Sequence, residues 1–74
     1  MYKIVDASIS NNFTFLALDS IISDADLFVK TKVYIDGQLI DEHYIWPTDA
    51  KKGVVIRNTN VDPNSLIGRT LNFN

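Results

Sequence analysis

Cysteine is absent from this chain and histidine occurs once. Without cysteine no disulfide can staple the fold, and a single histidine excludes the usual zinc centres built from Cys and His. Long apolar runs are missing too. Nothing approaches the ~20 residues a membrane-spanning helix needs, and the N-terminal MYKIVDASIS lacks the basic segment and continuous apolar stretch of a signal peptide. A cytoplasmic protein without membrane contact is expected. Because it begins with methionine, the chain reads as complete, a single domain over residues 1–74. Basic charge is not in excess: 7 Lys and Arg against 9 Asp and Glu leave a net charge of −2, which gives no electrostatic footprint for duplex DNA or an anionic membrane. Glycines are few and isolated at Gly37, Gly53 and Gly68, so no phosphate-cradling loop is present. No cofactor is expected.

What remains is globular. The chain is 46% hydrophobic and 22% charged, which argues against disorder. A domain of 74 residues buries only about 60% of the surface its unfolded chain exposes, so its stability is marginal. With no disulfide or metal available, oligomerisation is the remaining source of support.

The run Leu27 to Trp46, LFVKTKVYIDGQLIDEHYIW, predicts one long β-hairpin closed at Asp36-Gly37. Asp-Gly suits a two-residue type I′ loop, whose central residues both take positive φ. That turn pairs Ile35 with Gln38, and counting outward sets Val33 opposite Ile40, Thr31 opposite Glu42, Val29 opposite Tyr44 and Leu27 opposite Trp46. These positions share one face, which is mostly apolar. Leu27, Val29, Val33, Tyr44 and Trp46 are therefore expected in the core. The other face pairs Tyr34 with Leu39, Lys32 with Asp41, Lys30 with His43 and Phe28 with Ile45, and Lys32 and Asp41 are placed to form a cross-strand ion pair. Glu42 is the one charge on the core face. Either Thr31 and a tyrosine hydroxyl satisfy it, or it lies at a rim, or a bulge turns it out; the rim and the bulge are the favoured readings.

A first hairpin is expected from Tyr2 to Ser10 and Phe13 to Asp19, joined at Asn11-Asn12, since asparagine tolerates left-handed backbone. Its register sets Val5 opposite Leu18, Ala7 opposite Leu16 and Ile9 opposite Thr14 on an apolar face. The other face carries Asp6 with Ala17, Ser8 with Phe15 and Ser10 with Phe13. Ser20 to Asp26 is a polar connector with a short helical turn that drops Ile21 or Ile22 onto the sheet edge. Pro47 ends the strand before it, and Thr48 to Gly53 is one helical turn at most. Val54-Val55-Ile56 reads as a short buried strand. Asp62 to Gly68 is a single turn with Asp62 as cap and Pro63 at its first position. Leu71 and Phe73 belong to a final strand. The fold class is all-β, a small five- to six-stranded barrel or two-sheet sandwich built from two hairpins with short helical turns.

Candidate chemistry is sparse. The stripe Phe28, Lys30, Lys32, Tyr34 combines aromatic platforms with cations, the pattern of sheet faces that bind single-stranded nucleic acid or a small anionic ligand, but Asp41 stands opposite Lys32 and a solvated face is the simpler reading. His43 shares strand and face with Asp41 and lacks an evident nucleophile, so it reads as a surface residue and catalysis is not expected. Asp19, Asp24 and Asp26 lack the glycine and glutamate of a calcium loop. Asn12-Phe13-Thr14 matches a glycosylation acceptor by coincidence. The excess of large apolar groups at outward positions, Phe13, Phe15, Phe28, Tyr34, Leu39 and Ile45, instead points to a protein partner. The expected function is a non-catalytic interaction or assembly module, with self-association as its simplest form, nucleic-acid or anion binding across Phe28, Lys30, Lys32 and Tyr34 as the alternative, and His43 beside that face.

Overall fold

The computed structural model describes residues 1–27, 29–44, 52–57 and 62–74. Six strands, β1 (Tyr2–Ser10), β2 (Phe13–Leu18), β3 (Val33–Ile35), β4 (Gln38–Asp41), β5 (Gly53–Ile56) and β6 (Thr70–Phe73), form one antiparallel sheet. A helical turn α1 (Asp24–Leu27) follows β2, and a 3-10 turn (Pro63–Leu66) precedes β6. The strand order is β4-β3-β6-β1-β2-β5, so the last strand in the chain lies between the two hairpins. The chain is thus all-β as expected. The sheet is not closed into a barrel, because β4 and β5 are its two edges.

Both hairpins follow their turns. Asp36 and Gly37 take φ of 51° and 82°, both positive as a type I′ turn requires, and Ile35 pairs with Gln38 and Tyr34 with Leu39. In the first hairpin only Asn11 is left-handed (φ 56°), and five pairs from Ser10–Phe13 to Asp6–Ala17 stand in the expected register.

Farther from each turn a β-bulge shifts the pairing. In β1 the bulge falls at Val5: Leu18 pairs with Ile4 instead of Val5, and Val5 is 49% exposed. In β4 it falls at Ile40: Val33 pairs with Asp41 instead of Ile40. One extra residue on one strand reverses the face of everything beyond it. Glu42 is accordingly exposed, the outcome of the bulge reading.

The second hairpin is also shorter than expected. Leu27 belongs to α1, not to a strand, and Val29 is 76% exposed, so it is not core. Ser23 explains the difference. Its hydroxyl accepts from the Asp26 amide and donates to the Asp26 carboxylate, while Asp24 and Asp26 supply negative charge to the first turn. That local capping outcompetes the strand pattern. As expected of the connector, Ile22 is buried; Ile21 stays in solvent. The remaining short elements lie where the sequence places them, with the Asp62 carboxylate accepting from the Asn64 amide to cap the 3-10 turn. The expectations for Phe28, Ile45, Trp46, Pro47 and the Thr48–Lys51 part of the next turn lie outside the described residues, as does the side chain of Leu27.

One core results. It gathers Tyr2 and Ile4 of β1, Leu16 and Leu18 of β2, Ile22, Val33 and Ile35 of β3, Val54 and Ile56 of β5, Leu66, and Leu71 and Phe73 of β6, with Tyr44 half-buried against it. Leu71 sits between Tyr2 and Ile35 across three strands and is fully buried. Leu71→Ala is therefore expected to cost about 2–5 kcal/mol, a large share of the stability of so small a domain. Leu39→Ala, at a residue 41% exposed, is expected to cost less than about 1 kcal/mol. Urea denaturation of the two variants tests this assignment, and equal losses contradict it.

Candidate interaction surface

The side of β1, β2 and β5 that faces away from the core is built row by row from their pairing. Asp6, Ala17 and Gly53 form one row and Ser8, Phe15 and Val55 the next, while Ser10 and Phe13 close the hairpin end. Alternation sends Thr14, Leu16, Leu18, Val54 and Ile56 inward, so Phe13, Phe15 and Ala17 must face out. Phe15 is 41% exposed, Phe13 is half-buried, and Val55 is buried outside the main core. Small residues beside Phe15 leave an open depression of about 270 Å³, bounded by Asp6, Ser8, Phe15, Ala17, Lys52 and Gly53. Pockets that enclose a small molecule run from about 300 to 1,000 Å³ and are concave.

Phe13 and Phe15 lie on β2 beside the β5 edge, whereas Tyr34 and Leu39 pair near the β4 edge, with β6 and β1 between. Of the expected cationic stripe, Lys30, Lys32 and Tyr34 are described. Lys30 follows α1 and its ammonium sits 3.0 Å from the Asp26 carboxylate. Lys32 is exposed, and its backbone exchanges two hydrogen bonds with Asn74. Tyr34 is half-buried between Leu39 and Asn72. Phe28 lies outside the described residues. The Lys32–Asp41 ion pair does not form, because the bulge at Ile40 brings Asp41 opposite Val33, where its carboxylate accepts from the backbone amides of His43 and Arg57. His43 is exposed, and its carbonyl accepts from the Arg57 guanidinium. Asp41 thus uses its oxygens to tie β4 to the end of β5, and meets His43 through the main chain. Sequence reasoning missed Lys52, Gly53 and Val55 as neighbours of Phe15. Only the β2–β5 pairing brings them there, and nothing local encodes that pairing.

A connected polar cluster joins the start of β1 to α1. The Tyr2 hydroxyl donates to the Asp26 carboxylate at 2.8 Å and accepts from the Ser23 amide at 2.9 Å. Asp26 also accepts from the Ser23 hydroxyl and pairs with Lys30. Burial pushes the Asp26 carboxyl up, but hydrogen bonds from Lys30, Tyr2 and Ser23, with the Lys30 charge, outweigh it and hold its pKa below the ordinary 3.8. Tyr44 is pushed up by burial and by the charges of Asp26 and Tyr2. The cluster closes on itself around a buried ring and reads as a structural latch. Among the described residues no three His, Cys, Asp or Glu side chains group as metal ligands, and no helix is long and apolar enough to cross a membrane.

Comparison with protein-family models, with curated proteins and with solved structures finds no match to this chain. The chemistry of the surface therefore carries the functional reading.

Because the folded-state pKa of Asp26 is depressed, its contribution to stability is complete above the unfolded value near 3.8 and is lost as pH falls through the folded value. Asp26→Asn is expected to cost about 1.5–3 kcal/mol at pH 7, the range for hydrogen bonds to a charged group. It should also weaken the pH dependence of stability below about pH 4. Urea denaturation of both proteins from pH 7 to pH 2.5 checks this, and parallel pH curves contradict the latch.

Proposed function

We propose that this domain works by presenting surface to protein, as a non-catalytic interaction or assembly module in the cytoplasm, and that the outer face of β1, β2 and β5 is the surface it uses. The observation that carries the reading is Phe15: a large aromatic side chain, 41% exposed, held by a rigid three-stranded ladder between Ser8 and Val55 and beside an open depression. Aromatic anchors next to shallow hollows are the usual centres of protein interfaces. Phe13 extends the same face toward the hairpin end. We read the scaffold beneath it as sandwich-like, with the Val5 bulge bending β1 between its start, which pairs with β6, and the hairpin end, which pairs with β2. Self-association is the simplest use of such a face, because no cysteine is available for a disulfide and a symmetric contact uses one patch twice.

Sedimentation equilibrium of the purified chain at ~100 µM detects dissociation constants up to roughly that concentration, about 5–6 kcal/mol of association free energy. The wild type is expected to self-associate. Phe15→Ser is expected to shift it to monomer while circular dichroism retains the β signature. A monomeric wild type, or a Phe15→Ser variant that associates equally well, rejects the reading.

A further inference from the structure

The connector after β2 and the helical turn α1 are tied to the sheet at few points. Before them the Asp19 amide donates to the Lys3 carbonyl, and after them Lys32 exchanges two hydrogen bonds with Asn74, so both flanks are pinned by bonds that do not involve the segment itself. Between the pins most of it faces solvent. Ser20, Ser23, Asp24 and Ala25 are exposed and Ile21 is 62% exposed, while Ile22 enters the core. Two hydrogen bonds cross from the segment to β1, one from the Tyr2 hydroxyl to the Asp26 carboxylate and one from the Ser23 amide to the Tyr2 hydroxyl. Both run through one oxygen atom. Among the described residues the other bonds of Asp26 are local: its carboxylate meets the Ser23 hydroxyl and the Lys30 ammonium, its amide donates to Ser23, and its carbonyl accepts from the Lys30 amide. These travel with the segment when it moves.

We infer that Ser20 to Leu27 is a strap that opens and closes over Tyr2 while the sheet stays folded, with the Tyr2 hydroxyl as its clasp. Local opening is favoured where the backbone is exposed and few apolar groups are buried, and every residue released regains conformational entropy. The floor beneath the strap is held by other contacts. Tyr2 pairs with Leu71 on β6, its ring meets Phe73 edge-on at 5.5 Å, and Phe73 meets Tyr44 at 5.0 Å. Tyr2 is 7% exposed with the strap closed, so opening uncovers its hydroxyl and ring edge and vacates the place of Ile22 in the core. The strap is thus a switchable cover on the side of β1 that faces the core.

Native-state hydrogen exchange of the full chain at low urea concentrations tests the strap. The amides of Asp26 and Lys30 report on it, and those of Ile4 and Leu18, which donate to the Arg69 and Lys52 carbonyls, report on the sheet. Asp26 and Lys30 are expected to be at least ~10-fold less protected than Ile4 and Leu18 and to share a shallower urea dependence, the mark of one opening that exposes little surface. Tyr2→Phe keeps the ring and removes the clasp oxygen. It is expected to lower the protection of Asp26 and Lys30 together by ~10-fold or more, while Ile4 and Leu18 stay the better protected pair and circular dichroism retains the β signature. Neither reporter amide bonds to Tyr2, so a joint fall reads release of the strap as a unit. Strap and sheet amides that share one protection and one urea slope overturn the inference, because the segment then unfolds only with the sheet. A folded Tyr2→Phe chain that leaves Asp26 and Lys30 as protected as in the wild type overturns it too. If Tyr2→Phe fails to fold, the wild-type comparison decides alone.

Discussion

The fold depends on the bulge that β1 carries at Val5. Over Tyr2 and Lys3 this strand pairs with β6, and from Ile4 to Ser10 it pairs with β2. A regular strand alternates its side chains, so it cannot send Tyr2, Ile4 and Ala7 to one side. The extra residue at Val5 changes the phase, and all three pack on the single core. With a straight β1 the first hairpin would turn either Tyr2 and Ile4 or Ala7 away from it. The carboxylate that follows the bulge accepts from the Ala7 amide, so the local disruption of the ladder leaves that donor satisfied.

The other half of the sheet is joined through β6, which the chain makes last. Tyr2 and Lys3 pair with it on one side and Val33 to Ile35 on the other, and Lys32 and Asn74 extend the second ladder with reciprocal bonds. Asp36 serves twice here. It takes the left-handed turn conformation, and its carboxylate accepts from the Thr70 amide and the Arg69 guanidinium, which fastens the tip of the second hairpin to the start of β6. The Arg69 guanidinium reaches back to the Ser65 carbonyl, so the 3-10 turn joins the same link. These contacts are distant in sequence, and the sheet is incomplete until the C-terminus arrives. Folding of this chain is consequently dominated by non-local pairing, which is slow relative to its size.

Turn chemistry made the sequence legible near each loop and not beyond it. Asp36-Gly37 and Asn11-Asn12 set two pairs in one hairpin and five in the other, because a two-residue loop leaves no freedom in the neighbouring register. The positions of the bulges escaped for a specific reason. Ile4 and Val5, like Leu39 and Ile40, are adjacent apolar residues, so either phase of the alternation looks acceptable and periodicity cannot locate the shift. The misread start of the second hairpin did carry a signal, Ser23 three residues before Asp26, a capping pattern that weighs more than the β-forming residues after it. The outer face of the first hairpin was readable residue by residue. Its completion by β5 was not, since a four-residue apolar strand can pair with any edge that the tertiary structure leaves open.

Phe13 and Phe15 are also hard to explain as strand formers alone. Threonine or tyrosine at an outward position would serve the ladder as well, and serines on the opposing strand show that the site does not demand bulk. An exposed aromatic face beside an edge strand invites indiscriminate pairing, which natural sheets counter with charge near the edge. Lys52 stands where β5 begins, and Asp6 stands across β2 from it. Charge at the start of the edge strand limits that pairing without closing the face.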